Sequence, residues 1–460
     1  MLHLPAAPVR LCDGLSRRDF LRAGSLGLAG LSLPALLRGQ AQAAPAKQGR
    51  APADAVILVY CWGAPSQFEI FDPKPEAPAE VRGEWGVTRT HVPGAVLGER
   101  IPLLAQRGNL YSIVRTCTQS STSHQPGAYE ALTGYRPTAN AVALTATSKD
   151  YPNLGSVVSK LARRRNEMPA FVTLPQLISD VGNLTPGQFA GYLGKQHEAL
   201  AITRDPNATD FSVEEVMSRP EVPAARLDDR KALLDLVDAQ AQALESSAAI
   251  RNLDTFQDRA FQLLTSARVK QAFDLNREQT SLRDRYGRHT FGQSCLMARR
   301  LVESGVKLVT VFSANGGKIP QDAWDTHQNN FTKLKTMLPP FDQGVSALLD
   351  DLQGRGLLER TLLVVMSEFG RSPKVNDKAG RDHWANCYSM MLAGAGVKGG
   401  QIYGQSDTIG AHPKQGRVFN TADLTATVFE RLGIDHHAEL HDQTGRPLPA
   451  STGEPMVELF

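Results

Sequence analysis

The sequence lacks most features that mark membrane-spanning, zinc-ribbon or repeat proteins. Its 460 residues include five cysteines, and no two of them have the C-x-x-C spacing of a zinc ribbon. Aromatic residues make up only 7% of the chain and are scattered along it. No internal repeat of roughly 20–50 residues is present. The apolar stretch from Leu26 to Leu37 is too short and too glycine-rich to cross a bilayer core of about 30 Å.

An excess of charge of one sign is also lacking once the N-terminal residues are set apart. The whole chain has 50 basic and 47 acidic residues, and residues 1–43 hold five arginines and two aspartates, which leaves 45 of each sign in the remainder. A nucleic-acid-binding protein would be expected to keep a basic excess. We therefore expect no nucleic-acid partner.

Residues 1–43 are predicted to be a twin-arginine signal peptide. Ser16-Arg-Arg-Asp-Phe-Leu-Arg22 resembles the twin-arginine export motif, and Ala41-Gln-Ala43 is a small-residue cleavage pattern after the apolar stretch. An amphipathic N-terminal helix or a membrane anchor is the alternative. We expect cleavage after Ala43, no stable membrane span afterwards, and a periplasmic or extracellular protein.

The mature chain would keep four cysteines. An oxidising compartment would permit a disulfide among them, and buried free thiols are the simpler expectation. These residues are Cys61, Cys117, Cys295 and Cys387.

Apolar runs rich in β-branched residues alternate with segments of helical spacing in the rest of the chain. Because such strands are apolar on both faces, they predict an α/β fold with a mainly parallel sheet flanked by helices. Residues 44–460 are expected to form a single domain, with a polar, helical excursion at about 228–290. The predicted strands are 55–60, 110–114, 307–312 and 361–366, and the predicted helices include 295–303, 341–352 and 421–429.

Acidic and imidazole side chains follow the ends of these strands. Ligands of open parallel sheets bind beyond the carboxyl ends of the strands, and carboxylate oxygens together with imidazole nitrogens suit a divalent cation such as zinc or manganese. For Asp325 and His327 the alternative is that the carboxylate caps a loop and the imidazole contacts backbone. Arg371 and Arg381 are candidates for bidentate contact with an oxyanion.

Five short motifs carry a family resemblance. In chain order they are Phe71-Asp-Pro-Lys-Pro75, Leu132-Thr-Gly134, Trp324-Asp-Thr-His327, Ser367-Glu-Phe-Gly-Arg371 and Gly380-Arg-Asp-His-Trp384. Together they resemble the exported family catalogued as domain of unknown function 1501. That family is similar to the alkaline phosphatase and sulfatase superfamily, which implies an alkaline phosphatase-like sandwich and hydrolysis of phosphate or sulfate esters at two metal positions.

The resemblance is partial at the site itself. Glu368 stands where the superfamily has an aspartate ligand, and Phe369 stands where it has a histidine. Asp325 and His327 resemble the Asp/His pair of the other metal position, and His383 resembles the second histidine of that position. One metal position is therefore kept and the other degraded.

The nucleophile position of the sulfatases lies ten residues before the glycine of Leu-Thr-Gly. Counting back from Gly134 gives His124, with Ser123 beside it. The resemblance therefore implies His124 as nucleophile or ligand and Ser123 as an alternative nucleophile.

The residues at the strand ends and the family resemblance together imply an exported, metal-dependent hydrolase of small-molecule or polysaccharide sulfate or phosphate esters. Asp325, His327 and His383 would hold zinc, manganese or calcium. Glu368 would be a further ligand or a general base, and Arg371 or Arg381 would steady the anion. The first alternative is a non-catalytic binding or assembly protein on a degenerate hydrolase scaffold. A carbohydrate-binding module is the least favoured, because it would need an exposed aromatic platform.

Overall fold

The computed structural model describes residues 53–137, 143–162, 167–180, 182–213, 266–313 and 324–460. The predicted signal peptide and residues 228–265 of the predicted helical excursion lie outside these ranges. Of that excursion, only its last part, from residue 266, belongs to the described structure.

Strands occur along the whole described chain, and several are only two or three residues long. In chain order they are β1 (Ala55–Cys61), β2 (Val87–Arg89), β3 (Val96–Gly98), β4 (Tyr111–Cys117), β5 (Phe171–Leu174), β6 (Ser179–Asp180), β7 (Asn183–Leu184), β8 (Leu200–Ala201), β9 (Leu308–Ser313), β10 (Thr361–Met366), β11 (Gly370–Arg371), β12 (His383–Trp384), β13 (Tyr388–Ala393), β14 (Gln401–Tyr403), β15 (Gln405–Ser406), β16 (Pro413–Gln415), β17 (Glu439–His441) and β18 (Pro447–Pro449).

Eight of these strands form one central sheet in the order β14-β4-β13-β10-β1-β9-β5-β8. At its centre β1 lies between β9 and β10 and is parallel to both, with Val59 opposite Val311 and Val365. Strand β13 runs antiparallel to its two neighbours, β10 and β4, while the other pairs in the sheet are parallel. The predicted α/β class with a mainly parallel sheet is confirmed.

Helices cover both faces of this sheet. They are α1 (Ala79–Arg82), α2 (Pro102–Ala105), α3 (His124–Thr133), α4 (Leu154–Leu161), α5 (Ala267–Phe273), α6 (Thr280–Tyr286), α7 (Thr290–Ser304), α8 (Asn330–Gly354) and α9 (Thr421–Arg431). In the last part of the predicted excursion, α5 and α6 are present.

The core is divided by the sheet into two apolar layers. Alternate residues of β1 point to opposite faces, so Ile57 packs in one layer with α7 and α8, and Leu58 packs in the other with α3, α4 and α9. Every residue of β1 is buried. This is why the strand reads as a continuous apolar run rather than an alternating one.

Helix α8 is longer than its sequence predicts. The predicted start lies at Phe341, directly after Pro339 and Pro340, and proline within a helix costs roughly 3 kcal/mol. The helix instead begins at Asn330 and passes through both prolines. Leu334 is fully buried in the core before them, and this packing compensates for the cost.

The four cysteines of the described chain are all buried and free, as expected.

Within the described residues, no helix has the length and apolarity that a membrane crossing requires.

Candidate metal centre

The side chains that follow the central strands meet at one edge of the sheet. Strands β1, β4, β9 and β10 are oriented alike, so their carboxyl ends lie together, and β13 presents its amino end there because it is antiparallel. The segment before β13 therefore reaches the same edge as the segments after the other strands. The residues brought together are His124, Asp325, His327, Glu368 and His383.

Gly63, in the turn after β1, is essential to this arrangement. Its φ of +101° favours glycine, and a Cβ there would lie 2.7 Å from the Trp324 nitrogen and 2.8 Å from the Asp325 nitrogen. The Gly63 N–H donates a 2.8 Å hydrogen bond to Glu368 Oε1. One glycine thus lets the Asp325 segment approach β1 and also binds the carboxylate that follows β10.

His124 is the first residue of α3, and it pairs with a wholly buried carboxylate. Its Nδ1 lies 2.8 Å from Oε1 of Glu368, whose side chain is 0% exposed. The His124 Nε2 is buried and has no hydrogen-bond partner among the described residues. The nearest acceptor given for it is Asp325 Oδ2, at 3.5 Å.

His383 and His327 approach the same carboxylate from the outer side. Their Nε2 atoms are 2.8 Å apart, and they lie 3.2 Å and 3.3 Å from Asp325 Oδ1. His383 Nδ1 is 2.5 Å from the carbonyl oxygen of Thr122. His327 Nδ1 is 2.9 Å from Asp382 Oδ1.

These contacts assign the tautomer of each imidazole. In all three rings Nδ1 faces an oxygen that can only accept, so Nδ1 carries a proton. Nε2 is then the nitrogen at which a second proton or a cation binds. Two facing Nε2 lone pairs at 2.8 Å repel unless a proton or a cation lies between them. One ligand atom each of His124, Asp325 and His383 lies within 4.8 Å of the other two, the arrangement that a metal ion requires.

The charges around Asp325 shift its pKa and those of its neighbours. Burial alone would raise the pKa of Asp325, but the nearby His124 and His383 imidazoles and the charge of Arg371 hold it well below its ordinary value. Burial disfavours protonation of His124, but Asp325 and Glu368 outweigh it and raise the pKa of His124 to about 9. Burial, with the charges of Arg371 and His124, lowers the pKa of His383.

Arg371 and Arg381 are both fully buried, with 0% exposure. The Arg371 guanidinium donates to Asp325 and to the carbonyl oxygens of Gly63, Ala64 and Arg381. The structure therefore places its donors on the protein itself rather than towards solvent.

Arg381 is engaged in the same way, at a greater distance from the cluster. It forms a 2.7 Å ion pair with Glu69 and donates to the carbonyl oxygens of Val81, Ser372 and Pro373. Its guanidinium also stacks on Phe68, with 4.5 Å to the ring centre. Binding an anion in the way predicted from the sequence needs guanidinium N–H groups that are not already hydrogen-bonded to the protein. Neither arginine presents such a pair of donors.

Ser123 lies directly before α3. Its peptide N–H is 3.1 Å from the Ser121 hydroxyl, and its own hydroxyl makes no hydrogen bond to another described residue. The serine is thus next to the cluster in the chain without belonging to its hydrogen-bond network.

The sequence motifs hold the site's loops in place. Strands β11 and β12 pair Arg371 with His383, which joins two of the motifs directly. A Cβ at Gly380 would lie 2.1 Å from the His327 carbonyl group, so only glycine allows these segments to touch. Asp72 of the first motif forms buried ion pairs with Lys74 and Arg115, at 2.9 Å and 3.2 Å.

Some contributors were missed from sequence. Gly63 has no predicted role, yet a glycine two residues after a buried strand is a signal for close backbone approach. Asp382 stood inside a quoted motif without a role. The Thr122 carbonyl has no sequence signal, because any residue provides one.

Comparisons with known proteins extend this picture. No curated protein matches the chain significantly. Similar solved structures include the PsFucS1 sulfatase from Pseudoalteromonas sp., with 13% identity over 85% of this chain and 69% of that chain, at a TM-score of 0.38. The phosphonate monoester hydrolase SpPMH from Silicibacter pomeroyi has 12% identity over 88% and 76%, at a TM-score of 0.37.

A protein in the alkaline phosphatase superfamily from Vibrio parahaemolyticus has 8% identity over 84% of this chain and 69% of that chain, at a TM-score of 0.38. Because all these TM-scores are below 0.5, the likenesses carry no argument about activity. The family model described as "Protein of unknown function (DUF1501)" matches residues 53–460. The chain therefore belongs to this family.

Proposed function

We propose that the protein is a metal-dependent hydrolase of sulfate or phosphate esters. One observation carries the proposal: three imidazoles, each with its Nδ1 proton given to a fixed oxygen, turn their Nε2 atoms towards the carboxylate of Asp325. This is a ligand set for a cation, because metal-binding histidines characteristically donate the other ring N–H to a carboxylate or carbonyl.

The donor set fits a divalent transition metal. The buried Nε2 of His124 lacks a partner, and coordination would satisfy it. Three nitrogens and a carboxylate favour zinc or manganese over calcium, which prefers oxygen ligands. His124, Asp325, His327 and His383 would hold the ion. When bound, it would supply Lewis acidity towards an ester oxygen and lower the pKa of a nearby water.

Glu368 and Asp382 orient the ligands in this proposal. The Glu368 carboxylate fixes His124 from inside the protein and is itself held by the Gly63 N–H. This contact makes Glu368 an orienting group for His124 rather than a ligand or a free general base. Asp382 does the same for His327 from the solvent side, where its side chain is 59% exposed.

The charge balance at the centre suits an anionic substrate. Asp325, Glu368 and Asp382 contribute three carboxylates, and Arg371 contributes one guanidinium at the side of Asp325. A divalent cation would cancel the remaining negative charge, so a sulfate or phosphate ester would meet no net repulsion. Arg371 acts through its charge and its hold on Asp325, and Arg381 acts through the loop that it anchors.

Water is the proposed nucleophile, because His124 is engaged as a ligand. The Ser123 hydroxyl is the alternative, since it lies one residue from His124 and is not committed to another described residue. A covalent route through Ser123 would need its hydroxyl to be deprotonated by a neighbouring base. Turnover by the Ser123→Ala variant separates the two routes.

The test is turnover of an aryl sulfate and an aryl phosphate panel by purified protein loaded with zinc or manganese. We expect activity in the wild type, a loss of at least about a hundredfold in His383→Ala, and no change in His441→Ala, an exposed histidine outside the centre. Metal bound at one equivalent without turnover of any ester would contradict the hydrolase proposal.

That last result would support the second candidate, a non-catalytic binding protein on a hydrolase scaffold. The observation in its favour is Phe369, whose ring packs 5.1 Å from His124 and 4.7 Å from His383. An apolar ring fills the position where the superfamily has a histidine ligand. The same metal-loaded protein therefore distinguishes the candidates.

We also propose export by the twin-arginine route, on the motif at 16–22. Replacement of both Arg17 and Arg18 by lysine should retain the full-length protein in the cytoplasm. Fractionation of cells that express each form, with detection of the precursor and mature sizes, tests this proposal. Normal processing of the double variant would contradict it.

A further inference from the structure

A cavity lies beside α3, separate from the metal centre. Its volume is about 550 Å³, and none of the five residues of the candidate metal centre lines it. Ligand cavities in proteins commonly measure about 300–1,000 Å³. The cavity is lined by Tyr129 on α3, by the segment from Ala143 to Tyr151, by Tyr192, and by Arg446 and Leu448 at the β17–β18 hairpin.

Tyrosines distant in sequence build one wall of this cavity. The rings of Tyr151 and Tyr135 are stacked, with centres 3.9 Å apart and planes within 4°. Tyr192 meets Tyr151 edge-on at 6.1 Å. The stack leaves Tyr151 as a lining residue with one face already supported.

Hydrogen bonds hold this wall in place. The Tyr151 N–H donates to the Tyr129 hydroxyl at 2.7 Å, and the Tyr135 hydroxyl donates to the Pro449 carbonyl oxygen. Aromatic side chains that are fixed in this way lose little entropy when a ligand packs on them.

Part of the cavity lining is polar and exposed. Thr145 and Lys149 line the cavity and are exposed, and neither side chain has a hydrogen bond to another residue in the described chain. The carboxylates nearby are already used: Asp150 accepts from the Thr147 N–H and hydroxyl, and Asp442 is bonded to Thr444 and Arg446. Uncommitted donors and a supported aromatic ring thus line the same cavity.

We propose that this tyrosine-lined cavity binds a saccharide. A pyranose ring has an apolar face of C–H groups, which packs on an aromatic ring, and an edge of hydroxyl groups, which bind donors such as Lys149 and Thr145. The inference does not rest on ester hydrolysis, because it uses none of the metal-centre residues. It also accounts for tyrosines that look scattered in the sequence and form one surface in the fold.

The test is calorimetric titration of the full-length mature protein with a sulfated and an unsulfated galactan hexasaccharide. Tyr151→Ala removes the supported ring, and Thr145→Arg adds bulk at an exposed lining residue while all the tyrosines are kept. Each should lower the affinity at least about tenfold. Lys335→Ala on the exposed side of α8, outside both the cavity and the metal centre, should leave binding unchanged.

The two ligands identify the source of the binding energy. Tighter binding of the sulfated hexasaccharide, lost in Lys149→Ala, supports an anionic glycan, and equal binding of both supports recognition of the sugar rings alone. Tyr151→Ala alters a packed aromatic cluster and could lose binding through misfolding, whereas Thr145→Arg changes an exposed residue. A loss of binding in Thr145→Arg is therefore independent of that risk. If neither hexasaccharide binds the wild type, or if binding survives in both cavity variants, the inference is overturned.

Discussion

The carboxylate of Asp325 divides the centre into two halves that differ in burial and in the use of their protons. The histidine half contains His124, His327 and His383, whose side chains are 11%, 44% and 19% exposed. The arginine half contains Arg371 and Arg381, both 0% exposed. Apart from His124, the residues of both halves lie in the family motifs.

The difference indicates that the histidines bind a cation and that the arginines hold the loops of the site. Imidazoles exchange a proton for a cation near neutral pH, and the three Nε2 atoms are left available for that exchange. Guanidinium groups keep their proton near neutral pH. Here they donate hydrogen bonds to carbonyl oxygens and to one carboxylate each, Asp325 for Arg371 and Glu69 for Arg381. The arginine half is therefore expected to determine whether the loops fold, and the histidine half to determine what binds.

The largest effect is expected from Arg381→Ala. It leaves the Glu69 carboxylate buried and unpaired, which should lower the free energy of unfolding by about 3–5 kcal/mol. The matched control is Arg360→Ala, because Arg360 also pairs with a carboxylate, Asp54, but is 49% exposed; it should cost less than about 1 kcal/mol. Urea denaturation followed by circular dichroism measures both. An equal loss of unfolding free energy in the two variants would mean that the buried Arg381 stabilises the fold no more than the exposed Arg360 does.

The next effect concerns binding rather than folding. His327→Ala removes the most exposed imidazole, so we expect little loss of stability but a metal affinity lower by at least about a hundredfold, or ~2.7 kcal/mol. Competition with a chelator of known affinity measures it, with His441→Ala as the control outside the centre. An unchanged affinity in His327→Ala would take His327 out of the ligand set and leave a three-residue site.

The sequence predicted β4 and the three central parallel strands, β1, β9 and β10, but missed the other four strands of the sheet. The predicted strand at 361–366 matches β10, and that at 307–312 differs from β9 by one residue at each end, because these strands are apolar on both faces. Strands β5, β8, β13 and β14 were not predicted. Strand β13, Tyr-Ser-Met-Met-Leu-Ala, has no β-branched residue, so its strand conformation comes from pairing with β10 and β4 rather than from local preference.

The site was predicted in its chemistry but not in its contacts. The rule that ligands bind beyond the carboxyl ends of strands selected the residues that the structure brings together around Asp325. It could not distinguish Arg371 from a free anion-binding arginine, because burial and hydrogen-bond saturation depend on residues about 300 positions away, such as Gly63. The tautomers of the three histidines likewise follow from contacts that spacing does not reveal.

A smaller effect sharpens the comparison within the histidine half. Glu368 and Asp382 both orient an imidazole through Nδ1, but Glu368 is buried and Asp382 is 59% exposed. Glu368→Gln should weaken metal binding by about ten- to a hundredfold. Asp382→Asn should cost less, since water screens an exposed charge. The chelator competition ranks the two variants, and a larger loss in Asp382→Asn would mean that burial does not set the strength of the orienting bond.

The last predicted effect is a gradual change of the free energy of unfolding with pH, and it comes from the histidine half alone. The pKa of His124 is raised to about 9 in the metal-free fold, against about 6.5 in an unfolded chain. Its contribution to stability is therefore fully present below about pH 6.5 and is lost as the pH rises through 9, with a slope of at most about 1.4 kcal/mol per pH unit. The arginines keep their protons over this range and contribute no slope.

Urea denaturation of metal-free protein between about pH 6.5 and 9 should show this decline, and His124→Gln should flatten it. Metal-loaded wild type should also show a flatter profile, because a cation at Nε2 replaces the proton whose release causes the slope. A profile that is equally steep with and without metal would show that the proton of His124 and the cation do not compete for the same nitrogen. His124 would then be free to act as the nucleophile instead of a ligand.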